Sequence, residues 1–116
     1  MIRGIRDRET FAELRRSAVQ VRSSDLRLRF VAESTHDDLR IAYAIPRKVG
    51  PAVARNRIRR RIRGVLEECR VTEPSFPNGA ALVIVHPGAR DRSYQELRRQ
   101  VLELLEKLEK STEVAP

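Results

Sequence analysis

The spacing of apolar and polar residues predicts four strands. Residues 19–22 and 25–33 alternate between the two classes, as do residues 39–45, and alternation is typical of a strand with one buried face. The run AALVIVH, residues 80–86, is continuously apolar, which predicts a strand buried on both faces. Residues 23–25, Ser-Ser-Asp, predict the turn between the first two strands.

Three other segments have the spacing of amphipathic helices. They cover residues 7–16, about 52–70, and 93–110. Ser93 followed by Glu96 predicts a capping box at the start of the last helix. Its apolar stripe is predicted to consist of Tyr94, Leu97, Val101, Leu104, Leu105 and Leu108.

The predicted order is α-β-β-β-α-β-α, an α+β fold with a sheet of about four strands packed by helices. A chain of 116 residues suits one domain with a modest core. We assign residues 1–110 to this domain and residues 111–116 to a loose C-terminal tail.

Composition points to an anionic partner. The net charge is +8 and the isoelectric point about 10.9, a balance that suits RNA, DNA or an acidic membrane surface. Cys69 is the single cysteine, so no internal disulfide can form and a cytoplasmic setting is favoured. We find no apolar run long enough to cross a bilayer and no secretory signal, and we expect no membrane association.

The charge is concentrated in the second helix, where six arginines occupy the nine positions from Arg55 to Arg63. A helical wheel places one apolar face against the sheet, formed by Ile58, Ile62, Val65, Leu66 and Cys69. The opposite face carries Asn56, Arg60 and Arg63, with Arg59 on one flank and Arg57 and Arg61 on the other.

Packing like charges this closely opposes folding. The last helix alternates acidic and basic residues instead, as solvated helices commonly do. Arginine, unlike lysine, can hold phosphate oxygens with two parallel hydrogen bonds and can stack on bases. We therefore interpret the cluster as an anion-binding face, the alternative being a solvated surface without a specific partner.

Residues 45–68, IPRKVGPAVARNRIRRRIRGVLEE, resemble the signature of the bacterial ribonuclease P protein component. The matching positions are Arg47, Lys48, Gly50, Ala52, Val53, Arg55, Asn56, Arg59, Arg60 and Arg63. The resemblance extends to chain length, element order and the late VIVHPGA strand, residues 83–89. It implies a left-handed βαβ crossover around the arginine helix, an exception to the usual right-handed rule.

The resemblance also implies two RNA-binding surfaces, one for the catalytic RNA subunit and one for the single-stranded 5′ leader of precursor tRNA. Contacts to the RNA subunit would come from Arg47, Lys48, Arg55, Asn56, Arg57, Arg59, Arg60, Arg61 and Arg63. The leader cleft would be formed by Phe11, Arg15, Arg27, Arg29 and Arg40. Arg15 stands where the family often has a second aromatic residue, so contact here is expected to rely on phosphates more than on stacking.

The sequence offers no catalytic constellation of its own. His36 and His86 lie in separate segments, and Cys69 falls on the buried helix face. The resemblance implies that the RNA subunit performs the hydrolysis with bound Mg²⁺, with no metal held by the protein. The implied function is that of a protein subunit of ribonuclease P, an endoribonuclease holoenzyme that removes the leader, with no protein oligomer required.

Three other functions stay open. Composition equally suits a structural RNA-binding protein, such as a small ribosomal component. A DNA-binding regulator would use residues 52–70 as a recognition helix, but the segment before it reads as strand and loop. A self-contained ribonuclease would need a catalytic site that the pattern does not supply.

Overall fold

A computed structural model describes residues 2–16, 19–32, 39–73 and 76–113 of the chain. Within these ranges, strands and helices follow the order β1 (Arg3–Gly4), α1 (Arg8–Arg16), β2 (Gln20–Ser23), β3 (Leu26–Ala32), β4 (Leu39–Ala44), α2 (Ala52–Thr72), β5 (Gly79–Val85) and α3 (Tyr94–Glu113). Short 3₁₀ turns at Arg47–Val49 and Pro87–Asp91 precede α2 and α3.

The strands form one mixed sheet in the order β1-β4-β5-β3-β2. β4 runs parallel to both β1 and β5, while β3 runs antiparallel to β5 and β2. The α+β fold is confirmed, but the sheet has five strands because β1 adds an edge that was not predicted. The left-handed sense of the β4-α2-β5 crossover stays a prediction.

One face of the sheet, which we call the first face, packs against the hydrophobic core. Leu26, Leu28 and Phe30 of β3 are buried on it, as the alternation predicted. Two helices cover this face. The buried residues that they contribute are Ile58, Ile62, Val65, Leu66 and Cys69 from α2, and Leu97, Val101, Leu104 and Leu108 from α3.

Strand β5 differs in part from its prediction as a strand buried on both faces. Ala81, Val83 and Val85 point into the core, but Leu82 and Ile84 on the second face are only half-buried. The physical reason is that α1, nine residues long, is too short to cover the whole second face. An apolar strip is left open beside it.

Helix α3 begins with the predicted capping box. The Ser93 amide donates to Glu96 Oε1 at 3.0 Å, and the Glu96 amide donates to Ser93 Oγ at 3.2 Å. The predicted stripe is buried except at two positions: Tyr94 is 38% exposed, because the first turn extends beyond the core, and Leu105 is half-buried. The helix continues to Glu113, three residues into the predicted tail, and residues 114–116 lie outside the described ranges.

The predicted turn between β2 and β3 is present and is clamped to α3. The Asp25 carboxylate accepts hydrogen bonds from Arg92 Nε at 2.8 Å and Gln100 Nε2 at 2.9 Å. Burial acts to raise the pKa of Asp25, but these two bonds outweigh it and the pKa is lowered. Gly88 lies directly against this carboxylate. A second predicted turn, residues 35–38, lies outside the described ranges.

Candidate nucleic-acid interface

Helix α2 presents its arginines as the wheel predicted. Asn56, Arg60 and Arg63 are exposed on the side opposite the core. The flanking positions are half-buried because they border the face of the helix that packs into the core. We call the six arginines of this helix segment the arginine surface: Arg55, Arg57, Arg59, Arg60, Arg61 and Arg63.

The arginine surface has no acidic partners within the described parts of the chain. None of its guanidinium groups lies within 4.0 Å of a carboxylate there. The nearest acidic residues along the helix pair elsewhere: Glu67 with Arg70 at 3.1 Å, and Glu68 with Arg98 at 3.2 Å. The positive charge is therefore left to face solvent or an external anion.

Local contacts hold one arginine in place. Asn56 Oδ1 accepts a hydrogen bond from Arg59 Nη1 at 2.7 Å, so the asparagine orients a neighbouring arginine. The same guanidinium lies 6.0 Å from the centre of the Tyr43 ring, at the outer limit of a cation–π contact. Burial raises the pKa of Tyr43 to about 12, although Arg63 and Arg59 oppose the shift. The buried Tyr43 hydroxyl has no hydrogen-bond partner among the described residues.

Gly50 shapes the loop that leads into α2. Its φ of 156° lies in the region that favours glycine, and a Cβ there would come within 3.1 Å of Arg90 Cδ. The Gly50 carbonyl accepts a hydrogen bond from Arg55 Nε at 3.1 Å. Beside it, Arg47 and Lys48, two of the predicted contacts to the RNA subunit, are exposed. Arg90 thus adds a basic residue that the sequence analysis missed, since it lies far from the motif in the chain.

The predicted leader cleft lies on the second face of the sheet. Arg27 and Arg29 of β3 lie on the same face as Arg40 of β4. The register shows this, because the partner of each arginine on the central strand β5 is a residue that points to that face. The small side chains of Ala42 and Ala44 keep the surface shallow between them. The sheet thus brings together the three strand arginines that the resemblance assigned to the leader cleft.

Helix α1 lies across one end of this face and is held there by side-chain contacts. Arg40 Nη1 lies 3.3 Å from Asp7 Oδ1, and Arg40 Nη2 donates to Thr10 Oγ1 at 3.3 Å. Arg29 Nη1 donates to the Arg15 carbonyl at 2.9 Å. Two predicted leader contacts therefore also hold α1 in place. On α1 itself, Phe11 is half-buried and the Arg15 side chain is exposed.

The open end of the cleft carries further positive charge around His86. The Nε2 atom of His86 is buried and has no hydrogen-bond partner among the described residues. Burial lowers the pKa of His86, and the charges of Arg27, Arg22 and Lys48 lower it further. The imidazole is therefore neutral at pH 7. Arg22 and His86 were not predicted here, because only the pairing of β3 with β2 on one side and with β5 on the other brings them beside Arg27.

Over the described ranges, nowhere do three or more His, Cys, Asp or Glu side chains gather as metal ligands. None of the described helices is both long enough and apolar enough to span a bilayer.

Comparison with known proteins gives one consistent family. The family model described as Ribonuclease P matches residues 3–109. The ribonuclease P protein component of Gluconacetobacter diazotrophicus is 36% identical over 95 residues, which cover 80% of this chain and 79% of that protein. The component from Thermus scotoductus is 39% identical over 70 residues, covering 60% of this chain and 40% of that protein. The chain thus spans less than half the length of the Thermus relatives that it matches.

Solved structures show the same fold. The RNase P protein from Thermotoga maritima aligns with a TM-score of 0.76 at 20% identity, covering 89% of this chain and 94% of that one. The Staphylococcus aureus RNase P protein aligns with a TM-score of 0.75 at 21% identity, covering 89% and 92%.

Proposed function

This chain belongs to the ribonuclease P protein family, and from that premise we propose that it acts as the protein subunit of a ribonuclease P holoenzyme. In this role it binds a catalytic RNA subunit and precursor tRNA in the cytoplasm, and it assists endonucleolytic removal of the 5′ leader. The hydrolysis itself is assigned to the RNA subunit.

The observation that carries the proposal is the arginine surface of α2. Six guanidinium groups without a carboxylate partner in the described residues form a one-signed face on a helix that is otherwise firmly packed. Folded RNA supplies a dense array of phosphates that matches such a face, and each neutralised phosphate releases counterions, which favours binding. The free amide groups of the first turn of α2, which starts after Pro51, add to the attraction for phosphate.

The protein's contribution to cleavage is then mainly electrostatic. RNA helices that pack together repel one another through their phosphates, and divalent cations normally reduce this repulsion. Arginines at the RNA surface take over part of that role, so the holoenzyme should work at lower Mg²⁺ than the RNA alone. The Mg²⁺ used in the reaction is assigned to the RNA subunit, where it would supply an activated water for hydrolysis.

The second face of the sheet provides the proposed leader contacts. Arg27 lies at its open end beside half-buried Leu82 and Ile84, and Phe11 is half-buried on α1, the helix that packs on β3 and β5. A single strand can place phosphates against the arginine and bases against the apolar surface. Contacts upstream of the cut would favour precursor over mature tRNA, because the product lacks the leader.

Reconstitution tests the proposal directly. The full chain, incubated with precursor tRNA, should be inert, and addition of a bacterial ribonuclease P RNA should give 5′ cleavage at a Mg²⁺ concentration where the RNA alone is slow. Cleavage by the protein alone would refute the assignment of catalysis to RNA. Binding to the RNA with no effect on cleavage would instead favour the structural RNA-binding function.

A substitution in the cleft tests the leader contact. Phe11→Ala should weaken binding of leader-bearing precursor by about fivefold or more, since stacking of a base on an aromatic ring contributes about 1–3 kcal/mol. Leaderless tRNA should bind the Phe11→Ala holoenzyme as it binds the wild type. Tyr94→Ala, which removes an exposed aromatic ring from α3, is the matched control and should change neither affinity. Equal losses for both substrates would exclude a leader contact at Phe11.

A further inference from the structure

Two short turns lie side by side at the carboxyl ends of the parallel strands β4 and β5. The 3₁₀ turn Arg47–Val49 follows β4, and the 3₁₀ turn Pro87–Asp91 follows β5. Because β4 and β5 are neighbours that run parallel, both turns leave the sheet at the same end and pack against each other. In open sheets, ligands commonly bind outside the carboxyl ends of parallel strands.

His86 is the centre of a group of basic side chains at this end of the sheet. It follows β5 directly, and its amide donates to the Asp25 carbonyl at 2.8 Å, which fixes its position. Burial lowers the pKa of the imidazole most, and the charges of Arg27, Arg22 and Lys48 lower it further, so all three lie near the ring. They come from β3, β2 and the turn after β4, so three separate segments converge here.

The pairing of β2 with β3 places two of these arginines against each other. Arg22 is the direct register partner of Arg27, so both side chains leave the same face of the sheet. Like charges at directly opposed positions are destabilising. Arg22 is exposed, and the buried Nε atom of Arg27 has no hydrogen-bond partner among the described residues. Such a pair is typical of a surface that binds an anion.

Arg90 brings a further charge to the start of α2. The turn after β5 carries Arg90 against Gly50, where a Cβ would come within 3.1 Å of Arg90 Cδ and 3.3 Å of Arg90 Nε. The Gly50 carbonyl accepts a hydrogen bond from Arg55 Nε at 3.1 Å, and Arg55 belongs to the arginine surface. Basic side chains thus lead from the open end of the cleft, past Lys48, to the arginine surface.

The nearby carboxylates do not neutralise this group. Asp25 accepts hydrogen bonds from Arg92 Nε at 2.8 Å and Gln100 Nε2 at 2.9 Å, and Asp91 is exposed and forms no ion pair with a described residue. Within the described ranges, no carboxylate lies within 4.0 Å of the four basic side chains, Arg22, Arg27, Lys48 and Arg90. We call these four residues and His86 the strand-end surface.

We propose that the strand-end surface binds the phosphates of an RNA strand and joins the leader cleft to the arginine surface in one continuous RNA-binding surface. Arg22 and Arg90 are the binding residues that it adds, and neither was predicted from the sequence. The proposal rests on the proposed function in taking RNA as the partner. The strand can belong to the precursor leader or to the RNA subunit, since both present the same phosphodiester chemistry.

The double variant Arg22→Ala/Arg90→Ala tests the strand-end surface. Both side chains are exposed and neither donates a hydrogen bond to a described residue, so the variant should fold, which circular dichroism can verify. The first measurement titrates the full chain alone with a short single-stranded RNA oligonucleotide at several salt concentrations. The slope of log affinity against log salt should become shallower by about 1.4, at about 0.7 for each phosphate contact to a single strand.

The two single variants test whether the surface is continuous. Arg22→Ala and Arg90→Ala should each make the slope shallower by about 0.7. A change confined to one of them would overturn the proposal, because the bound strand would then not reach from the cleft to the start of α2.

The matched control removes the same charge elsewhere. Arg99→Ala/Lys110→Ala changes exposed residues of α3, the helix that covers the first face of the sheet, and Lys110 already pairs with Glu106 at 3.3 Å. The control should leave the slope unchanged. An Arg22→Ala/Arg90→Ala slope equal to that of the wild type, or an equal change in the control, would also refute the assignment.

The holoenzyme identifies the strand. If the strand-end surface holds the leader, the double variant should lose affinity for precursors in step with leader length and bind leaderless tRNA normally. If it holds the RNA subunit, the loss should appear in assembly with that RNA and be independent of the leader. Failure of the wild-type protein to stimulate cleavage would sink the proposed function alone, because the oligonucleotide measurement does not depend on it.

Discussion

Replacing Arg60 by alanine should make the free protein more stable and its RNA binding weaker. Arg60 is exposed and has no carboxylate within 4.0 Å in the described parts of the chain. It lies three residues from Arg57 and three from Arg63, so it forms two like-charge pairs on the helix. Each such pair costs about 0.2–0.5 kcal/mol, and alanine also favours the helix. The free energy of unfolding should therefore rise by about 0.4–1 kcal/mol.

The binding defect of Arg60→Ala should depend on salt. Loss of one phosphate contact makes the slope of log affinity against log salt shallower by about 0.7–0.9. Over a fourfold rise in salt, the advantage of the wild type over the variant should then shrink by about threefold. This shrinkage distinguishes a lost phosphate contact from a general disturbance of the surface, which would weaken binding at every salt concentration alike.

Two measurements and one control complete the test. Urea denaturation of the free proteins gives the change in unfolding free energy, and titration of the RNA subunit at several salt concentrations gives the slope. Arg99→Ala is the control, because Arg99 lies close enough to Glu96 and Glu103 to lower the pKa of both carboxyls. Its loss should not stabilise the protein or change binding. An Arg60→Ala protein with lower stability and an unchanged slope would refute an RNA-facing role for this residue.

Four further substitutions test the packing around the interface. Gly88→Ala should lower the free energy of unfolding, measured in urea, by about 1–3 kcal/mol, because its Cβ would displace the Asp25 carboxylate from its hydrogen bonds. Gly64→Ala is the control, because Gly64 has open space around it, and this variant should raise the free energy of unfolding by about 0.5–1 kcal/mol. Tyr43→Phe should leave the unfolding free energy unchanged or higher, since it removes a buried hydroxyl without a partner in the described residues, and a loss above about 1 kcal/mol would contradict this. The pKa of His86 is lowered in the folded protein, so the unfolded chain binds a proton more readily at this residue. The free energy of unfolding should therefore fall as the pH drops from 7 through about 6.5. His86→Gln should remove that part of the pH dependence.

The helices and their faces were predictable because they depend on local spacing. Ile58, Ile62 and Leu66 recur with the helical period, so their burial follows from the sequence of α2 alone. The capping box of α3 likewise needs only Ser93 and Glu96, three residues apart. Interactions of this kind are encoded within one or two turns.

Contacts between distant segments were not predictable in the same way. Strand β1 has only two residues, too few to show alternation, and it exists because the N-terminal segment reaches β4 and α2. The tie from Arg40 to Asp7 joins residues 33 positions apart. The half-exposure of Leu82 depends on where α1 ends above the sheet. Each of these features is set by tertiary packing, which a periodicity cannot reveal.

The arginine surface also implies that RNA and folding are energetically linked. Five arginine pairs between residues 55 and 63 lie three or four positions apart, so their repulsion costs about 1–2.5 kcal/mol in the free protein. An RNA present at about 100 times its dissociation constant stabilises the folded state by about 2.7 kcal/mol, provided that it does not bind the unfolded chain. These two free energies are similar, so RNA binding can offset the charge repulsion present in the free protein. Helix α3 packs on the same face of the sheet with paired charges and carries no such cost, which is why the unpaired charge of α2 is best explained by an anion outside the chain.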